Sequence, residues 1–141
     1  MDETQPAGGT LPEAAAPPGS EIVLLVEDED PVRKLVRTIL EKRGHVVLDA
    51  RNGREGLALC VAHQKSIALL VTDIIMPELS GRELAEAARA LRPELKVIFM
   101  SGHTPDVVLK EGLSKRTAFL QKPFTPTRLA QRVREILDSD A

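Results

Sequence analysis

From residue 21 onward, short apolar runs alternate with amphipathic stretches. Ile22-Val23-Leu24-Leu25-Val26 is an unbroken β-branched and leucine run, the composition of a strand buried on both faces. Asp30 and Pro31 read as an N-cap and first-turn pair. Val32, Leu35, Val36, Ile39 and Leu40 follow at helical spacing, and Gly44 closes that helix. Residues 45–50 read as a second strand, and Asn52 is placed to cap a helix over residues 53–63 that carries Leu57, Leu59, Cys60 and Val61. Residues 67–72 form a third strand ending at Asp73. A loop broken by Pro77 then leads to a helix marked by Leu84, Ala87, Ala88 and Leu91, which stops near Pro93. Residues 96–100 read as the fourth strand, 104–113 as a weak helix broken by Gly112, and 117–121 as the fifth strand. Thr125-Pro126 opens a last helix with Leu129, Val133, Ile136 and Leu137.

Five strand–helix units in alternation predict an α/β fold, a doubly wound parallel sheet covered on both faces. With right-handed crossovers the expected arrangement is flavodoxin-like, (βα)5, with strand order 2-1-3-4-5. Such sheets carry their sites beyond the carboxyl ends of the strands, at the switch between strands 1 and 3. Residues 1–20, MDETQPAGGTLPEAAAPPGS, have no apolar period and are rich in Pro, Ala and Gly. They read as a flexible linker or tail ahead of a domain over residues 21–138.

Composition narrows the function classes. The 141 residues suit one domain, with 43% hydrophobic and 28% charged residues. The 19 Lys+Arg and 21 Asp+Glu nearly balance, and with three acids and no base in residues 1–20 the rest carries a net +1. That balance argues against nucleic-acid binding. With Phe99, Phe119 and Phe124 as the aromatics, and no Tyr or Trp, a base-stacking platform is also disfavoured. No apolar run approaches the ~20 residues of a membrane span. A single cysteine, Cys60, excludes an internal disulfide and reads as a small buried hydrophobe. With no signal peptide in view, the expected location is the cytoplasm.

The predicted carboxyl ends are where the chemistry collects. Strand 1 ends in Glu27-Asp28-Glu29-Asp30, strand 3 in Asp73, strand 4 in Ser101 and strand 5 in Lys122. Taken singly, each has an ordinary reading: acids at a helix N-terminus, a turn residue, a turn serine, a solvated lysine. Together, at one edge, they suggest more. Close carboxylates repel one another, and a hard divalent cation such as Mg2+ compensates them through oxygen ligands. An aspartate beside it can act as a nucleophile toward phosphorus, giving an acyl phosphate. The metal and the lysine would neutralise the transferred group, and the serine hydroxyl would hydrogen-bond one of its oxygens. The residues thus point to Mg2+-dependent phosphorylation of an aspartate.

The segments LLVEDED, VTDIIMP, FMSG and FLQKPF, in this order, resemble those of a response-regulator receiver domain over about residues 21–138. The resemblance implies that Asp73 is the phosphoacceptor and that Asp28 and Asp73 ligate Mg2+. It also implies the backbone carbonyl of Ile75 as a ligand, with Glu27 held to the metal through water. Ser101 and Lys122 would bind the phosphoryl group, and Phe119 would be the switch aromatic. It further implies a cis bond at Lys122-Pro123. Ile75 and His103 occupy the positions that tune phosphate loss; an apolar Ile75 cannot orient a water, which slows loss, and His103 would offset that. Glu27 stands where many receivers have Asp, Ser101 where Thr is commoner, and Phe119 lacks a tyrosine hydroxyl. Phosphorylation would switch a surface formed by the fourth and fifth predicted helices and the fifth strand.

LLVEDEDPVR, FMSGHTPDVV and FLQKPFTPTRLAQRVREIL are especially similar to the C-terminal receivers of hybrid histidine kinases, and residues 1–20 resemble the linker that precedes such receivers. The implied partners are a histidine kinase domain, in the same chain in the hybrid case, and a His-phosphotransfer protein. A membrane anchor would belong to the parent kinase, and the isolated domain is expected to be a monomer. The chain would catalyse its own phosphorylation and dephosphorylation. No output segment is read after residue 138, so a stand-alone single-domain regulator is the alternative. An Asp-nucleophile phosphatase is disfavoured, because Ile75 stands where that chemistry usually wants a second acid. A dinucleotide site is disfavoured because no Gly-rich turn follows strand 1.

Overall fold

Five β-branched and leucine-rich runs form the strands β1 (Ile22–Val26), β2 (Val46–Ala50), β3 (Ile67–Asp73), β4 (Lys96–Ser101) and β5 (Thr117–Gln121). All pair in parallel, in the order β2-β1-β3-β4-β5. Among the described residues four helices accompany them: α1 (Asp30–Lys42), α2 (Gly53–Ala62), α3 (Gly81–Leu91) and α4 (Pro126–Leu137). The computed structural model describes residues 21–102 and 116–138. The expected linker, His103 and the expected helix at 104–113 lie outside the described residues. The strand order is the flavodoxin-like one expected from the alternation.

Alternate strand residues point to opposite faces, so the sheet builds two cores. Leu24, Val26 and Leu70 pack with Cys60, Leu84, Ala85 and Ala88 beneath α2 and α3. Val23, Leu25, Leu69, Val71, Ile98 and Met100 pack with Val36, Ile39 and Leu40 of α1 and Leu129, Val133 and Ile136 of α4. Among the described residues, no helix is long and apolar enough to cross a membrane.

Several local expectations need correction. The N-cap of α1 is Glu29, not Asp30: its backbone is extended and its carbonyl accepts the Arg33 amide at 2.9 Å. Asp30 is already helical, and its carboxylate accepts from the Arg33 guanidinium instead. Leu35, expected inside, is 50% exposed, while Arg33 is buried. The buried stripe of α1 runs through Arg33, Val36, Ile39 and Leu40, and Leu35 sits about 100° away from Val36 around the helix. Val61 and Leu91 are likewise exposed at the edges of their helices, and Ala85 takes the inner place expected of Ala87. β2 begins at Val46, with His45 still in the turn; β3 includes Asp73 and β4 includes Ser101.

Candidate functional site

Parallel strands end together, and three of these ends carry charge. Glu27 follows β1 directly, with its amide still donating to the Ala50 carbonyl of β2 at 3.1 Å. Asp73 closes β3, and Lys122 follows β5. The Lys122 amide donates to the Ser101 carbonyl at 2.7 Å, which ties the ends of β4 and β5 together. The side chains converge from these three directions. Lys122 Nζ donates to Glu27 Oε1 at 2.8 Å and to Asp73 Oδ2 at 3.2 Å, and Glu29 Oε1 lies 4.0 Å away. Glu27, Asp28 and Asp73 each offer a carboxylate oxygen, all within 4.8 Å of one another.

Burial differs sharply across this cluster. Glu27 is fully buried, Asp73 and Lys122 are largely covered, and Asp28 is exposed. Both Glu27 oxygens are engaged, one by Lys122 and the other by the Glu29 amide at 3.1 Å. Burial nevertheless pushes the Glu27 carboxyl above the ordinary carboxylate range, with Asp73 repulsion adding to it, against the opposing pull of Lys122 and the Glu29 amide. For Lys122, burial pulls the ammonium down. The hydrogen bonds and charges of Glu27 and Asp73 outweigh that and hold it above its ordinary value. One lysine against three acids leaves excess negative charge at a partly open lip. This donor set fits a hard divalent cation with oxygen ligands.

The loop after β3 shapes the other wall. The Ile74 amide donates to the Met100 carbonyl at 3.1 Å, and the Gly81 amide to the Ile74 carbonyl at 2.8 Å. Gly81 opens α3 directly behind Asp73; a Cβ there would lie 2.0 Å from the Asp73 carbonyl oxygen. Ser80 caps α3 with a reciprocal box, its hydroxyl accepting from the Glu83 amide and the Glu83 carboxylate from the Ser80 amide.

The structure brings Glu27, Asp28, Asp73 and Lys122 together, and places the other expected site residues around them. Ser101 is buried at the end of β4. Ile75 is 72% exposed, two residues past Asp73 on the lip. Phe119 is half-buried on β5, its ring 5.6 Å from that of Phe99. The Lys122-Pro123 peptide bond is cis. His103 lies outside the described residues. Cys60 lies on the buried face of α2, and burial pushes its thiol up to about 11, so it stays protonated and unreactive. Arg33 joins the site without any sequence motif that marks it. Its Nη1 donates to the Glu27 carbonyl at 2.9 Å. The available signal was local: an acid at Asp30 three residues before an arginine on a helix.

The sequence profile of the response regulator receiver domain matches residues 23–134. Over 121 residues the chain is 37% identical to sensor kinase CckA of Brucella abortus (strain 2308), an alignment covering 85% of this chain and 13% of that protein's length. Over 116 residues it is 33% identical to the response regulator receiver protein CpdR of the same organism, covering 82% of this chain and 95% of CpdR. Among solved structures, the receiver domain of hybrid histidine kinase CckA superposes with a TM-score of 0.72 at 36% identity, covering 83% of this chain and 99% of that one. Vibrio cholerae chemotaxis protein CheY4 gives a TM-score of 0.75 at 27% identity, covering 83% and 98%.

Proposed function

Because the chain belongs to the response regulator receiver domain family and so is a receiver domain of a two-component system, we propose that Asp73 is its phosphoacceptor and Lys122 its phosphate-binding cation. The observation that carries this is the bridge of Lys122 to both Glu27 and Asp73, which joins the ends of β1, β3 and β5 at one point. An Asp73 carboxylate oxygen attacks the phosphorus of a phosphohistidine donor. The phosphorus–nitrogen bond breaks, its electron pair leaves with the imidazole, and an acyl phosphate forms on Asp73. Lys122 already lies within hydrogen-bond reach of Asp73, so its ammonium offsets charge on the incoming group. The Ser101 hydroxyl donates to a phosphoryl oxygen. Asp28, Asp73, the Ile75 carbonyl and, through water, Glu27 would hold Mg2+, whose charge offsets that of the phosphoryl oxygens.

The added charge, about −1.5 to −2, biases packing around Phe119 and hence the surface of β5 and α4. Phe119 has no hydroxyl, so this switch works by packing. Exposed Ile75 offers no group to orient an attacking water, which favours a long-lived phosphate. The higher sequence identity to CckA than to CpdR supports a hybrid-kinase receiver that works in the cytoplasm and exchanges phosphate with a kinase histidine and a His-phosphotransfer protein. The full-length match to CpdR is the observation that favours a stand-alone regulator instead. Intact mass after incubation with acetyl phosphate and Mg2+ tests the chemistry. One phosphoryl group should add to the unsubstituted chain, and none with a chelator or in Asp73→Ala. An equal adduct in Asp73→Ala would overturn the assignment.

A further inference from the structure

Arg33 is a buried cation one turn into α1, its side chain 10% exposed, and its guanidinium turns back toward the acidic loop. Nη1 donates to the Glu27 carbonyl at 2.9 Å, and Nη2 donates to the Asp30 carboxylate. Nε lies 3.7 Å from Asp49 Oδ2 on β2. These contacts bracket Asp28: one arm holds the residue before it, the other the second residue after it. Glu29 caps α1 without a side-chain hydrogen bond of its own, and besides Arg33 the turn is held by the Glu29 amide donating to Glu27 Oε2 at 3.1 Å. Asp28 is exposed, so the fold constrains it through its backbone rather than through packing of its side chain.

We propose that Arg33 is a positioning residue for the metal site: its fork across Glu27 and Asp30 fixes the turn that aims Asp28 and Glu27 at Asp73. This rests on the reading of the cluster as an Mg2+ site. Groups that orient metal ligands from behind typically matter about 10–100-fold in metal affinity. Charge alone predicts the opposite sign. Removing a cation beside three carboxylates leaves the site more negative and should tighten a divalent cation. Weaker binding on removal of Arg33 therefore reports geometry.

Mg2+ alone, titrated by calorimetry into the whole chain, tests this. Arg33→Met keeps the apolar stem and loses every donor; Arg33→Gln is a second neutral variant, polar and favourable in helices. Arg37→Gln is the control. Arg37 Nη1 also pairs with Asp49, at 3.1 Å, on the same helix, but it makes no contact with the loop. With folding confirmed by a cooperative urea transition, the Mg2+ dissociation constant should rise about tenfold in Arg33→Met or Arg33→Gln. In Arg37→Gln it should stay within about twofold or fall, as the charge argument allows. Unchanged or tighter binding in a folded Arg33 variant, beside normal binding by the unsubstituted chain, would overturn the positioning role and leave the site reading intact. No Mg2+ binding by the unsubstituted chain would overturn the site reading and this proposal with it.

Discussion

Gly81 is the tightest point of the loop behind the cluster. A methyl group there meets the Asp73 carbonyl oxygen at 2.0 Å, a backbone atom that cannot step aside cheaply. Gly81→Ala should destabilise the fold by about 1–3 kcal/mol in urea unfolding, and should slow Asp73 phosphorylation by displacing its backbone. A normal phosphorylation rate would show that the loop relaxes without moving Asp73. His45 carries a different liability. It is buried, with Nδ1 3.4 Å from Glu21 Oε1, and Arg134 holds the other Glu21 oxygen at 3.3 Å. Burial lowers its pKa below 6.5, with Arg134 helping and Glu21 opposing. The unfolded chain therefore takes up the His45 proton at higher pH than the folded one. Stability from this residue is present above about pH 6.5 and is lost as pH falls through that value toward the folded pKa. Urea midpoints between pH 7.5 and 5.5 should fall more in the unsubstituted chain than in His45→Gln; parallel curves would contradict this.

The elements were largely legible in the sequence, because buried parallel strands advertise themselves as apolar runs. Ile22-Val23-Leu24-Leu25-Val26 could be read as β1 without knowing its neighbours. Helix caps with a local side-chain bond were legible too, as at Asn52 and Thr125. What could not be read depends on contacts distant in sequence or on a helix's rotation against the sheet. The Glu27–Lys122 contact spans 95 positions. The Glu27 carboxylate accepts from Lys122 and from the amide of Glu29 in its own loop, partners that its place in the sequence does not announce. Leu35, expected inside, faces solvent, and Arg33 takes a place in the buried stripe, because helical spacing defines a stripe without fixing its edges. Truncation measures the difference: Leu40→Ala should cost about 2–5 kcal/mol, whereas Leu35→Ala should stay within about 0.5 kcal/mol. The caps differ in the same way. Ser80→Ala breaks the reciprocal box of α3 and should cost about 1 kcal/mol, while Glu29→Ala removes no cap bond and should be close to neutral.

At the scale of the molecule, two apolar layers bring three charged strand ends to one edge, and the cluster carries excess negative charge. A cation that binds the folded chain alone should stabilise it by mass action. At free Mg2+ one hundred times its dissociation constant, the gain is about 2.7 kcal/mol. With no Trp or Tyr, circular dichroism in urea is the suitable probe, and both a chelator and Asp28→Ala should remove the shift. A shift that persists in Asp28→Ala would place the cation elsewhere.

In the proposed function, the edge built by Glu27, Asp73 and Lys122 directs a phosphoryl group onto Asp73. Borohydride reduction of the phosphorylated chain converts an acyl phosphate of aspartate to homoserine, which peptide mass spectrometry can assign to one residue. Homoserine is expected at position 73, formed only when Mg2+ was present and strongly reduced in Lys122→Gln. Homoserine at position 28 or 30 instead, or its formation with Mg2+ chelated, would contradict it.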